Sequence, residues 1–136
     1  EVQSFPLAAE PPRPRTAQLS AQVIDAVDPL RVHKTTSRHL YDAALRYLTP
    51  GSPVFDVVFL NQRREVAEGA RSNVFVERDG ILLTPPLTSG ALPGVLRAEM
   101  LADGRAREAV LWPEDLDGGF WLGNALRGLL PVRLPA

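Results

Sequence analysis

A mixed α+β domain, a distorted β-barrel with flanking helices, is the fold class this sequence predicts. Three observations point to it. Short apolar or alternating runs of strand length recur from Ala17 to Val132, turn signals separate them, and only two stretches carry helical spacing. The 136 residues suit one ordinary domain and are too few for two.

The chain opens on Pro6 to Arg15, where Pro11-Pro12-Arg13-Pro14 reads as an extended arm or linker, so residues 1–15 are expected to lie outside the domain of 16–136. Ala17 to Ile24 alternates as a strand does. Asp28-Pro29 marks a turn, and Leu30 to His33 reads as a short strand delivering Lys34. Ser37 is placed to cap a helix in which Leu40, Ala43, Ala44, Tyr47 and Leu48 recur at helical spacing, stopped by Thr49-Pro50-Gly51. Val54 to Leu60 is apolar except for Asp56, as in a strand buried on both faces. Asn61 to Arg64 turns, Glu65 to Ala67 returns, and Ser72 to Glu77 forms the next strand. The Asp79-Gly80 pair joins that strand to Ile81–Thr84. Pro93 is expected to open a second helix carrying Val95, Leu96, Met100 and Leu101, closed by Asp103-Gly104. Arg105 to Trp112 suits a strand, Pro113 to Leu116 a single helical turn, and Phe120 to Val132 a last pair of strands around Gly128.

Composition excludes several functions. With 45% apolar and 23% charged residues the chain has the makeup of a globular protein, not a disordered one. No apolar run has bilayer-spanning length, and Glu1-Val2-Gln3-Ser4 lacks the basic start and apolar stretch of a signal peptide. Cysteine is absent, which rules out disulfides, thiolate metal sites and cysteine nucleophiles. The expectation is a cytoplasmic protein with no membrane partner. A net charge of −1 and the lack of a basic stripe with interleaved aromatics argue against a nucleic-acid partner. His33 and His39 have no companions at ligand spacing, so no metal is assigned.

The positive charge is unevenly made. Fourteen of the fifteen basic residues are arginine, and Lys34 is the only lysine. A guanidinium does not deprotonate near neutral pH, so any chemistry that needs a primary amine side chain must use Lys34. A coding bias toward arginine would also leave one lysine, and composition alone does not separate the two.

Four segments carry the functional signal. They are His33-Lys34-Thr35-Thr36-Ser37-Arg38 with Tyr41; Asn61 through Glu68-Gly69-Ala70-Arg71-Ser72-Asn73-Val74-Phe75; Thr84-Pro85-Pro86-Leu87 with Gly90-Ala91-Leu92-Pro93-Gly94-Val95-Leu96-Arg97; and Gly123-Asn124-Ala125-Leu126-Arg127-Gly128 ahead of Pro131-Val132. In this order they resemble the class IV aminotransferase family, the fold-type IV pyridoxal-phosphate enzymes. That family includes branched-chain and D-amino-acid aminotransferases and 4-amino-4-deoxychorismate lyase. The His-Lys-Thr-Thr and Asn-Ala-Leu-Arg-Gly forms are most similar to the lyase, particularly to lyase domains fused behind an aminodeoxychorismate synthase component.

The resemblance implies a D-amino-acid aminotransferase-like large domain and pyridoxal phosphate as cofactor. It makes Lys34 the Schiff-base lysine, an amine that must be neutral to act as a nucleophile. Glu68 becomes the carboxylate facing the pyridinium nitrogen, although Glu65 and Glu77 nearby read as surface glutamates. Leu92 would pack on the cofactor ring, Gly94 would let the phosphate approach, and the backbone amides of Val95 and Leu96 would bind it. Asn124 would reach the phosphate from the last strands, while Ser72 and Asn73 would lie in a loop that supports the cofactor. Arg38 and Arg127 are candidates for holding substrate carboxylates or the phosphate, or else structural ion-pair partners. Leu96 departs from the threonine common in aminotransferase relatives, which favours the lyase reaction on 4-amino-4-deoxychorismate over transamination.

Relatives also carry a smaller N-terminal domain that supplies an arginine to the phosphate, and nothing of that kind precedes Thr16. The chain is therefore expected to be a piece of a longer enzyme, binding cofactor weakly or not at all by itself. Homodimerisation and a fused or separate synthase component are expected as well.

Overall fold

In the computed structural model of the protein, residues 15–24, 54–70, 72–126 and 128–135 are described. The expected Leu30–His33 strand, the Ser37–Leu48 helix and the arm before Arg15 lie outside them, as do Lys34, Arg38 and Arg127. Arg15 itself already belongs to the first strand.

Eight strands form one sheet: β1 (Arg15–Ile24), β2 (Val54–Asn61), β3 (Val66–Gly69), β4 (Asn73–Arg78), β5 (Ile81–Thr84), β6 (Ala106–Glu108), β7 (Phe120–Asn124) and β8 (Gly128–Arg133). Their order across the sheet is β3-β2-β1-β8-β7-β4-β5-β6, and the sheet curls into a half-barrel with few helices. The local hairpins are antiparallel, whereas β1 runs parallel to both β2 and β8, and β5 runs parallel to β6. Helix α1 (Val95–Ala102) lies between β5 and β6 in the chain.

Period-two alternation divides the side chains between two faces. From β4, Val74 and Val76 enter a core with Ala17, Val58, Leu60, Val66, Leu116, Phe120 and Leu122, while Phe75 between them packs with Met100 of α1. From β2, Val57 and Phe59 pack in a further cluster with Ile24, Ala67 and Leu92. Both faces are thus covered, which is why these strands read as nearly continuous apolar runs. Each fully buried Val, Leu or Phe in such a place contributes about 1.5–3 kcal/mol.

The turns follow their chemistry. Asp79 (φ 56°) and Gly80 (φ 80°) take consecutive left-handed conformations, the primed geometry that matches strand twist in a two-residue hairpin.

Three expectations are corrected. Helix α1 starts at Val95 with Gly94 as its N-cap, two residues after Pro93. Its inward residues are Arg97 and Met100, with Leu96 and Leu101 partly covered, whereas Val95 is 64% exposed. Arg97 can occupy the interior because its guanidinium donates to Pro85 O at 3.1 Å and pairs with Glu108. The third concerns Arg105–Trp112, of which only Ala106–Glu108 forms strand. Beyond it Leu111 turns away from β5, and its carbonyl accepts the Val66 N–H of β3 at 2.8 Å. That bond ties the segment after β6 back to the far edge strand.

Two ion pairs with half-exposed arginines set an acid limit. Hydrogen bonds from the Arg78 side chain and then from Trp112 N–H hold the Asp115 carboxyl below its ordinary value. Glu65 is lowered chiefly by its hydrogen bonds from Arg63 and Asn61. A carboxyl whose folded pKa is depressed adds stability above its unfolded pKa and loses it as pH falls through the folded value. Unfolding free energy is therefore expected to decline below about pH 4.5, the ordinary value for Glu65. Glu65→Gln should flatten that decline in urea titrations taken across the acid range. Because Arg78 and Arg63 are about half exposed, each pair should contribute no more than about 1 kcal/mol.

Candidate functional site

The site grows from one segment, residues 85–94, laid across the ends of β3 and β4. Glu68 stands near the end of β3 and is only 2% exposed. Its Oε1 accepts the Leu92 N–H at 2.7 Å. The Leu92 carbonyl accepts the Asn73 side-chain amide at 3.1 Å and the Gly94 N–H at 2.9 Å. Both ends of the Leu92 residue are thus bracketed by expected site residues. Its side chain, 9% exposed, packs with Ile24, Val57, Phe59 and Ala67.

Helix α1 follows at once. The first intrahelical bond runs from Ala98 N–H to Gly94 O at 3.0 Å, and Gly94 gives no side-chain cap. The amides of Val95, Leu96 and Arg97 precede that bond and point out of the helix start, where an anion is favoured. The requirement for glycine at 94 has a source the sequence did not suggest: a Cβ there would lie 2.3 Å from Asn73 Oδ1. Gly94→Ala must push the Asn73 amide off Leu92, and is expected to cost about 1–3 kcal/mol in denaturant unfolding.

The last strands join the same place. Asn73 pairs with Gly123 in the β4–β7 register, which sets Asn124 one residue further along the neighbouring strand. Leu96 leans on this strand, since a Cβ at Gly123 would come within 3.0 Å of Leu96 Cδ2. The side chain that replaces a hydroxyl is thus packed as carbon against carbon.

Ser72 sits in the short connection between β3 and β4, and Asn73 is the first residue of β4. The Ser72 Oγ donates to Asp56 Oδ2 at 2.7 Å, and Asp56 is fully buried on β2. Asp56 is a residue the motif reading passed over. A carboxylate inside an apolar strand was its signal, because such a group stays buried only with partners. Gly69 completes the packing, as a Cβ there would meet Ser72 Oγ at 2.6 Å and Asp56 Oδ2 at 2.7 Å.

Glu65 corrects a further expectation. Read as a surface glutamate, it is 12% exposed in its side chain and accepts bonds from Asn61, Arg63 and Ser89.

Of the expected residues, Glu68, Ser72, Asn73, Leu92, Gly94, Val95, Leu96 and Asn124 fall in one connected region. Among the described residues no cluster of three or more His, Asp or Glu is placed to hold a metal, and no helix is long and apolar enough to cross a membrane. The donor set fits pyridoxal phosphate: a buried carboxylate for a cationic ring nitrogen, and an uncapped helix start for a phosphate. The short Leu92-Pro93-Gly94 run connects them.

Known proteins share this fold. Residues 1–134 match the family model for amino-transferase class IV. A provisionally assigned amino-acid aminotransferase from Mesorhizobium loti is 40% identical, with a TM-score of 0.82 over 90% of this chain and 60% of that one. The branched-chain-amino-acid aminotransferase of Escherichia coli K12 is 41% identical over 76 residues, 50% of this chain and 24% of that protein. A Legionella pneumophila protein provisionally assigned as 4-amino-4-deoxychorismate lyase shares the fold, with a TM-score of 0.67 at 22% identity over 90% of this chain and 48% of that one. The chain thus spans less than two thirds of the length of these relatives. With a family match over nearly its whole length, the chain belongs to the class IV aminotransferases, a pyridoxal-phosphate-dependent family.

Proposed function

We propose that the full-length protein is a 4-amino-4-deoxychorismate lyase, releasing 4-aminobenzoate and pyruvate, and that this chain supplies most of its cofactor site. The observation that carries the reading is the buried Glu68 carboxylate, fixed by Leu92 N–H at 2.7 Å, with Gly94, the uncapped N-cap of α1, two residues after Leu92.

Each residue then has a defined task. Glu68 keeps negative charge where a ring nitrogen must stay protonated. The Val95 and Leu96 amides bind the phosphate through backbone alone. Lys34 supplies the amine that holds the group, and takes the proton from the substrate carbon bearing nitrogen. When bound, pyridoxal phosphate supplies the electron sink for the charge left behind. The three-carbon enolpyruvyl unit leaves as pyruvate while the ring becomes aromatic, so no water is consumed or released. Arg38 and Arg127 are assigned to the substrate's carboxylates. Self-association, and a synthase component fused or separate, belong to the same proposal.

Two features favour the lyase over its relatives' reaction. Leu96 packs against Gly123 where the aminotransferases commonly carry a hydroxyl, and the Asn124-Ala125-Leu126-Arg127-Gly128 form resembles the lyase's. A second reading, transamination of an amino acid, draws on the 41% identity to the E. coli enzyme. Supplying the full-length protein with 4-amino-4-deoxychorismate separates them. Stoichiometric pyruvate and 4-aminobenzoate are expected; amino transfer to a 2-oxo acid without pyruvate release would replace the lyase with the transaminase.

A further inference from the structure

Glu65 and Glu68 stand three residues apart and grip two points of one crossing segment that are also three residues apart. Glu65 Oε1 accepts the Ser89 hydroxyl at 2.9 Å, and Glu68 Oε1 accepts Leu92 N–H at 2.7 Å. The outer grip is reinforced from the β2–β3 turn. Asn61, 1% exposed, donates its amide to Glu65 Oε1 at 2.8 Å and to Ser89 O at 2.9 Å. Its Oδ1 accepts Arg63 N–H at 2.8 Å and Glu65 N–H at 3.0 Å, which shapes the turn that presents both side chains. Arg63 donates to Glu65 Oε1 at 3.0 Å and to Thr88 O at 2.8 Å.

Between the two grips lie Gly90, at φ 109°, and Ala91. A glycine in that conformation has more freedom to lose than any other residue, so something must hold the segment before Leu92 can meet Glu68 at a fixed angle. The polar cluster at Ser89 does this together with the backbone bonds from Ser89 N–H to Pro86 O and from Gly90 N–H to Leu87 O, both 2.9 Å, while the Asn73 amide holds the Leu92 carbonyl. Core packing holds the Leu92 side chain, but a side chain in an apolar cluster does not by itself orient an N–H.

We propose that Glu65, with Asn61 and Ser89, is a positioning latch for the cofactor's ring end: by fixing Thr88–Ser89 it sets where Leu92 N–H stands, and through that bond sets the Glu68 carboxylate. The proposal rests on the assignment of Glu68 to the ring nitrogen. It gives a role to a glutamate three residues from the motif acid that touches neither cofactor nor substrate.

The test is a double-mutant cycle on the full-length protein, read by pyridoxal-phosphate affinity and by amide hydrogen exchange at Leu92. Glu65→Ala and Ser89→Ala are each combined with Glu68→Gln. Glu65→Ala should weaken cofactor affinity roughly tenfold, the scale of a lost hydrogen bond to a charged group. In the Glu68→Gln background the same change should matter less than about twofold, because coupling runs through one bond. Leu92 exchange should quicken in Glu65→Ala and Ser89→Ala while the Val74 and Leu122 amides of the core stay slow. Ser89→Ala removes one hydroxyl and keeps the Arg63–Glu65 pair, so it reports even if Glu65→Ala folds poorly. Multiplicative effects of the Glu65 and Glu68 changes, or unchanged Leu92 exchange, would overturn the latch. Quickened exchange with an affinity indifferent to Glu68→Gln would instead refute the assignment of Glu68 to the cofactor, and the latch's catalytic meaning with it.

Discussion

Lys34→Ala in the full-length protein is expected to lower turnover by roughly 10²–10⁴-fold, the range supplied by a positioned proton-transfer group. The loss should be large because no other side chain of this chain offers a primary amine: Lys34 is its only lysine, and the other fourteen basic residues are arginines. The imine absorption of added pyridoxal phosphate should disappear with the amine. Lys34→Arg should be no better than alanine, since it restores charge without a nucleophile. Borohydride reduction followed by peptide mapping checks the same point chemically, with the pyridoxyl group expected on Lys34 in the unmutated protein.

The second large effect falls on Glu68, and two substitutions divide its roles. Glu68→Gln keeps an oxygen that can accept Leu92 N–H but removes the charge. Folding should be nearly unchanged while turnover drops on the order of 10²–10³-fold, the scale of losing one preorganised electrostatic contact. Glu68→Ala also leaves the buried Leu92 N–H without its acceptor. A further cost of about 1–3 kcal/mol in unfolding free energy is expected there. A glutamine variant with full activity would mean that the carboxylate serves only the backbone of residue 92.

Much of the sheet was legible because its signals are local. The Asp79-Gly80 turn, the alternation in β4 and the apolar run of β2 each declare themselves within a few residues. The parallel pairing of β1 with β2 and β8 did not, since those partners are brought together by the curl of the sheet and not by a turn. Strand β6 was overextended because Val110 and Leu111 look like strand residues. Leu111 in fact belongs to the core closed by β3. Arg97 was unreadable for a different reason: a long cation enters an interior only when Pro85 O and Glu108 are there to receive it, and neither is near it in sequence.

The site divides in the same way. Motif residues identify the chemistry, and Glu68, Asn73, Leu92 and Gly94 do share one hydrogen-bonded network. Their supports were invisible. Asp56 looked like an interruption and Glu65 like a solvated charge, because what each holds, Ser72 and Ser89, lies 16 and 24 residues further along the chain.

The most direct measurement is a crystal structure of the full-length protein after borohydride reduction with its cofactor in place. A pyridoxyl group joined to Lys34 Nζ, with a Glu68 carboxylate oxygen within about 3 Å of the ring nitrogen, is the expected result. A cofactor attached elsewhere, or a ring nitrogen facing solvent and away from Glu68, would contradict it.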